Sequence, residues 1–278
     1  MQLAINYVTK YRYTEPASSI IQLLRLSPQS FLGQNVLDWR IDVDCDARLR
    51  EGRDGYGNIT HMLYVEGSVA ELKITVAGRV LTEDRAGIVQ GLAYDLPPPV
   101  FLRSTPLTAS SAGLRQLAAA LEHQGGTSLE KLHRLTAAIH SRMNFDTCST
   151  ETSTVAADAF DAGHGVCQDF THIFVAVSRA IEIPARYVSG HLFRRDGSEV
   201  QEAAHAWAEA WVDDLGWVGF DPTNGISTDD AYVRVACGLD YRDAAPMAGA
   251  RSGGGVEELS VEVQVSEVRR QAQFQSQS

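Results

Sequence analysis

The apolar period of this chain first changes at Pro97-Pro98-Pro99, from strand-like alternation to helical spacing. Before the prolines, Leu3, Ile5 and Tyr7 alternate with polar neighbours, as do Trp39, Ile41 and Val43, and later Val76, Gly78 and Val80. A period of two lines one face of a strand. Asp54-Gly55-Tyr56-Gly57-Asn58 reads as a turn between two such runs. After the prolines, Leu114, Leu117, Ala118 and Leu121 form one helical stripe, and Leu129, Leu132, Leu135, Ala138 and Ile139 form the next, separated by Gly125-Gly126. A stiff triple proline continues neither helix nor sheet. The expected division is therefore an antiparallel β domain over 1–96, a second domain over 97–270 and a polar tail over 271–278.

Within the second domain, Val166, Phe170, Ile173, Phe174, Val177, Ala180 and Ile181 predict a third helix, stopped by Pro184. Strands are expected over 185–192, 205–212 and 217–221, the last two joined by the turn Asp213-Asp214-Leu215-Gly216, and again over 259–265. Helices first and sheet second define an α+β class.

Composition narrows the functions. With 44% hydrophobic and 21% charged residues the chain can bury a core of its own. Its formal net charge of −11 sets it against nucleic acid and anionic membrane, so neither is expected as a partner. No apolar run is long enough to span a bilayer, and the start lacks the basic-then-apolar layout of a signal peptide, so the expected compartment is the cytoplasm. Cys45, Cys148, Cys167 and Cys237 lie far apart with no C-x-x-C pair, a pattern that suits reduced thiols.

One of those thiols is placed for chemistry. Gly163-His164-Gly165-Val166 lets the backbone turn sharply into the third helix, and Cys167 falls in its first turn. There the unpaired N–H groups favour thiolate and can donate to an oxyanion forming on a substrate carbonyl. A buried structural cysteine is the commoner case for any single thiol, and it describes Cys45, Cys148 and Cys237 adequately. A nucleophilic thiol also needs a base, and the base an orienting group. His205 opens an alternating strand in which Trp207, Glu209 and Trp211 share its face and Ala206, Ala208, Ala210 and Val212 the other. The small side suits packing on helices, which would turn His205 away from them unless the strand end twists or bulges. Asp221 ends the next strand, and the midpoint between His205 and Asp221 is position 213, beside the turn, so a hairpin brings the two strand ends together. Singly, a half-buried strand histidine and a turn aspartate before Pro222 are ordinary features. Asp169, in the first helical turn, fits plain dipole complementation. His164, Cys167 and His172 offer a metal alternative, but no second ligand pair stands at structural-zinc spacing, and neither metal nor cofactor is expected.

Gly165-Val166-Cys167-Gln168-Asp169-Phe170-Thr171-His172, Ala204-His205-Ala206-Trp207 and Gly216-Trp217-Val218-Gly219-Phe220-Asp221-Pro222-Thr223, in that order, resemble the three signatures of the transglutaminase-like superfamily. Tyr11-Arg12-Tyr13-Thr14, Leu24-Arg25-Leu26-Ser27-Pro28 and Asp54-Gly55-Tyr56-Gly57-Asn58 resemble the β-rich domain that precedes this core in many bacterial members. The resemblance implies a transglutaminase-like, papain-like core of helices packed on an antiparallel sheet. It makes Cys167 the nucleophile, His205 the general base and then acid, and Asp221 the orienting carboxylate. Gly238-Leu239-Asp240-Tyr241 resembles the family's Gly-Arg-Asp-Tyr segment, with Leu239 where the arginine usually stands. Gln168, Trp207, Asp240 and Tyr241 are the candidate substrate contacts. The function implied is acyl transfer on amide bonds of a peptide or protein through a thioester. Water as acceptor makes a protease or amidase, the favoured outcome, and an amine makes a transglutaminase. A non-catalytic module binding a peptide or cell-wall fragment is the alternative from another class.

Overall fold

The computed structural model describes residues 1–147, 150–198 and 200–268; Cys148 and the tail over 271–278 lie outside them. The chain begins with β1 (Gln2–Ser27), β2 (Gln34–Val43), β3 (Ala47–Arg53) and β4 (Ile59–Thr82), followed by the two-residue β5 (Ile88–Val89). β1 and β4 pair antiparallel in two stretches separated by a register shift between Arg12 and Ala17. β2 runs beside the second half of β4 and β3 beside its first half. Inward residues from both halves of β1, among them Leu3, Ile5, Ile20 and Leu24, share one apolar core with Leu63 and Val76 of β4. The alternation anticipated for Leu3, Ile5 and Tyr7 is the inner face of that core.

Helices follow. α1 (Ala112–Gln124) is capped by the Ser111 hydroxyl, which accepts from the Leu114 N–H. α2 (Ser128–Arg142) starts with Thr127 and Glu130 satisfying each other's backbone N–H groups. Next come β6 (Asn144–Phe145), α3 (Ala156–Ala162), β7 (His164–Gly165) and α4 (Cys167–Ala180). α4 is buried from Gln168 through Arg179, polar residues such as Asp169, His172 and Arg179 included. It is the axle of the second domain. Phe170, Ile173, Phe174 and Val177 pack against the Ala208, Ala210 and Val212 face that the alternation assigned to the helices.

The second sheet is built by β8 (Ala185–Leu192), β10 (His205–Val212), β11 (Gly216–Asp221), β12 (Ile226–Ser227) and β13 (Tyr232–Gly238), in the order β12-β11-β10-β8-β13, while the two-residue β9 (Val200–Gln201) between β8 and β10 joins the first sheet. The short α5 (Tyr241–Ala244), β14 (Met247–Gly253) and β15 (Glu257–Glu267) close the chain. The architecture is α+β, with two large antiparallel sheets, the helices gathered on one of them, and a parallel pair of β6 and β7.

The domain division at the prolines does not follow the pairing. β14 and β15 fall within 97–270, yet both pair with β1 and complete the first sheet. β5 falls within 1–96 and pairs with β11 of the second sheet. The reason is backbone satisfaction: β1 has β4 on one side only, and its other row of N–H and C=O groups needs a strand from elsewhere. α3 and β13 carry no clear periodic signal and were not anticipated; α3 has 7 residues and β13 is buried along its whole length.

Side chains of the first sheet lock the two units together. The Asn58 amide mimics a strand partner for β13, donating to the Cys237 carbonyl at 2.8 Å and accepting from its N–H at 2.9 Å. Gln34 does the same for Arg234, accepting from its N–H at 2.8 Å and donating to its carbonyl at 2.9 Å. Tyr56, in the glycine-rich turn, donates to Asp243 at 2.7 Å. Among the described residues no helix is long and apolar enough to cross a membrane.

Candidate active site

Cys167 is the first residue of α4 and is partly exposed. Two glycines deliver it. Gly163 ends α3 in a left-handed conformation at φ 74°, and its N–H donates to Ala159. Gly165 must lack a Cβ because one would stand 2.6 Å from Oδ2 of Asp169. That oxygen accepts from the Val166 N–H at 2.9 Å and from the Thr150 hydroxyl at 2.7 Å, capping the helix that carries the thiol. Burial raises the Asp169 pKa against the effect of those hydrogen bonds. Asp169 thus shapes the turn rather than facing solvent.

His205 and Asp221 meet through His205 Nε2 and Asp221 Oδ2, 2.7 Å apart. The hairpin ladder of β10 and β11 runs from Val212 and Gly216 to Ala208 and Phe220, and both residues lie just beyond its last pair. His205 keeps the side of Trp207, on whose ring it stacks at 6.3 Å. The Cys167 thiol is close enough to act on the same ring electrostatically. Burial alone would lower the His205 pKa; the Asp221 charge and hydrogen bond, joined by Cys167, outweigh it and raise the pKa to about 10. Asp221 is fully buried. Burial opposes its charge, but His205, Tyr232 and Asn224 overcome that and hold the carboxyl below its ordinary range. Its Oδ1 accepts from the N–H groups of Thr223 and Asn224 at 2.9 and 3.1 Å. Its Oδ2 also accepts from the Asn224 amide at 2.7 Å and the Tyr232 hydroxyl at 2.8 Å.

The other candidates take distinct places. Gln168 is buried and donates to the Thr152 carbonyl at 3.1 Å, so it braces the loop ahead of α3. Trp207 is buried and forms a wall behind His205. Asp240 caps α5, accepting from the Arg242 N–H at 2.8 Å. Tyr241 packs, as Cys167 does, against the cluster that holds Tyr187 and Ala206, and sets its ring edge-on to Tyr187 at 6.2 Å. Its backbone is pinned by His172, whose Nε2 accepts the Tyr241 N–H at 3.1 Å. Burial, with Arg179 nearby, drops the His172 pKa to about 3, so the ring is neutral with its proton on Nδ1. His172 therefore supports the loop instead of presenting a lone pair to a metal, and among the described residues no group of three metal-ligating side chains comes together. Leu239 fills an apolar niche with Phe101 and Trp217, while the Arg179 guanidinium reaches its carbonyl at 2.7 Å.

Sequence reasoning missed two residues that touch the Asp221 carboxylate. Asn224 had a usable signal, since an asparagine three residues after an Asp-Pro turn can fold back onto the aspartate. Tyr232 had none, because it belongs to the unanticipated β13.

The α+β frame thus carries a thiol at a helix start, a strand histidine and a buried carboxylate. The family profile of the transglutaminase-like superfamily matches residues 115–222, and that of the bacterial transglutaminase-like N-terminal region matches residues 3–81. An uncharacterised protein of Mycobacterium tuberculosis is 30% identical, over 93% of this chain and 91% of its own. The chain belongs to the transglutaminase-like superfamily and carries the bacterial N-terminal region in front of the core. A protein-glutamine gamma-glutamyltransferase of Pseudomonas aeruginosa is 33% identical over 91 residues, 29% of this chain and 12% of its own. In fold, the chain matches the crystal structure of a candidate cysteine protease from Cytophaga hutchinsonii with a TM-score of 0.79 at 22% identity, over 98% of this chain and 92% of the other.

Proposed function

We propose that this protein is a cysteine-dependent acyl-transfer enzyme that hydrolyses amide bonds of peptides or proteins. The observation that carries the reading is the buried Asp221 carboxylate holding His205 Nε2 at 2.7 Å, with the Cys167 thiol, which acts on the same ring, at the start of α4. Such an arrangement holds a proton on the imidazole beside the Cys167 sulfur. Cys167 attacks the substrate carbonyl, and the N–H groups of the first turn of α4 donate to the oxygen as charge builds there. His205 gives its proton to the leaving amine as the C–N bond breaks, which leaves a thioester on Cys167. The same histidine then takes a proton from water as it attacks, and the acid is released. Asp221 stays ionised and steadies the imidazolium.

Transamidation is the second reading, favoured by the name of the Pseudomonas aeruginosa relative over the stretch it shares with this chain. The two reactions part only at the thioester, where an amine replaces water. A peptide-library digest with and without a primary amine, read by mass spectrometry, tests both. New termini support hydrolysis, and amine adducts on glutamine support transfer. Neither product, or products that persist in Cys167→Ala, would leave the binding module as the better reading. The free thiols Cys45, Cys167 and Cys237 fit a reducing compartment, and we place the protein in the cytoplasm on that basis.

A further inference from the structure

We propose that Tyr232 is a positioning residue of the triad: its hydroxyl fixes the Asp221 carboxylate in the orientation that serves His205, and its ring shields their bond from water. The inference rests on the triad reading and adds a residue that no motif marks. After Asp221 the chain passes through the short β12 and returns at the start of β13, where the Tyr232 hydroxyl donates to Asp221 Oδ2 at 2.8 Å. The same oxygen already serves His205 Nε2 at 2.7 Å and the Asn224 amide at 2.7 Å. An sp² oxygen has two lone-pair directions, so a third close donor shares electron density that would otherwise go to the imidazole. Tyr232 therefore both orients the carboxylate and limits how tightly it holds the imidazolium. That limit matters because His205 must surrender its proton to a leaving amine, and an overstabilised imidazolium is a poor general acid.

The ring adds enclosure. Tyr232 stands edge-on to Trp207 at 5.4 Å and tilted to His205 at 6.1 Å, while Trp207 stacks on His205. Two rings, those of Trp207 and Tyr232, thus flank the ion pair, and Tyr232 itself is buried. Keeping water away strengthens the charge interaction between Asp221 and His205. A tyrosine that only tied down the segment over 222–231 would affect stability and leave the histidine's titration alone.

The test is a nitrogen-15 NMR titration of the His205 ring in the full chain, wild type against Tyr232→Phe, assigned with His205→Gln. Thermal melts and pH profiles of kcat and KM are run in parallel. With the hydroxyl gone, Asp221 holds the imidazolium harder. The His205 titration and the alkaline limb of kcat are expected to move up, and kcat to fall about tenfold with KM little changed, the factor carried by one hydrogen bond to a charged group. 3-Fluorotyrosine placed at position 232, a stronger donor, is expected to move the His205 titration the other way. Titrations that superimpose on wild type, with only a lower Tm, would overturn the proposal, as would a downward shift in Tyr232→Phe. The NMR readout needs no turnover, so a failure of the acyl-transfer reading, seen as activity surviving in Cys167→Ala, is distinguishable from a failure of this one.

Discussion

Asp221 sits where its charge is hardest to keep and its partners are densest, and this sets what its replacement should do. In Asp221→Asn the side chain can no longer stabilise an imidazolium, and its amide can donate to Nε2 and so hold the ring in the wrong tautomer. The rate is expected to fall about a hundredfold or more, with the fold retained, when kcat is measured at neutral pH. The pH dependence follows in sign. His205 is raised to about 10, so the imidazolium persists through neutral pH, and the rate should decline as pH rises through that value. The decline should move to lower pH in Asp221→Asn. The same raised pKa contributes stability that is complete below the unfolded value near 6.5 and is lost as pH rises toward about 10. The places of Cys167, His205 and Asp221 at element ends were legible from the sequence because each sits at the boundary of a strongly patterned element. Their neighbour Tyr232 was not, because its position depends on a strand whose residues are all buried and show no alternation.

Elements tell a similar story. β8, β10 and α4 announce themselves through period and punctuation, and their observed spans of Ala185–Leu192, His205–Val212 and Cys167–Ala180 follow the pattern closely. The turn Asp54-Gly55-Tyr56-Gly57-Asn58 was legible as a turn, but its task was not, since its partner is 179 residues away in sequence. Asn58 there acts as a missing strand for Cys237, and it also donates to Asp54 at 3.0 Å. Asn58→Ala would leave a buried N–H and C=O without partners, costing about 2–4 kcal/mol. Equilibrium unfolding in urea is expected to show a lower midpoint with an unchanged slope. An unchanged midpoint would mean the turn rests on β13 without holding it.

At the scale of the whole molecule, the return of the chain decides how it can be divided. β15 pairs with β1 from Leu3 to Tyr13 and β14 from Ala17 to Leu24, so the first sheet is finished only by the last strands of the chain. The prolines at 97–99 mark a change of period and not an edge of cooperativity, and no local pattern says that 259–265 will cross back. An isolated fragment over 1–96 should accordingly fail to fold, giving a collapsed proton–nitrogen NMR spectrum, and adding a peptide spanning 246–268 should restore dispersion. A well-dispersed spectrum from the fragment alone would show that β1 does not need those strands. The central claim is that Cys167 carries the acyl group. Its most direct measurement is intact-mass analysis and peptide mapping of the enzyme acid-quenched during turnover of an activated acyl ester. A single adduct on the Cys167 peptide, released by hydroxylamine and absent from Cys167→Ala, is the predicted result; an adduct elsewhere, or undiminished turnover in Cys167→Ala, would contradict it.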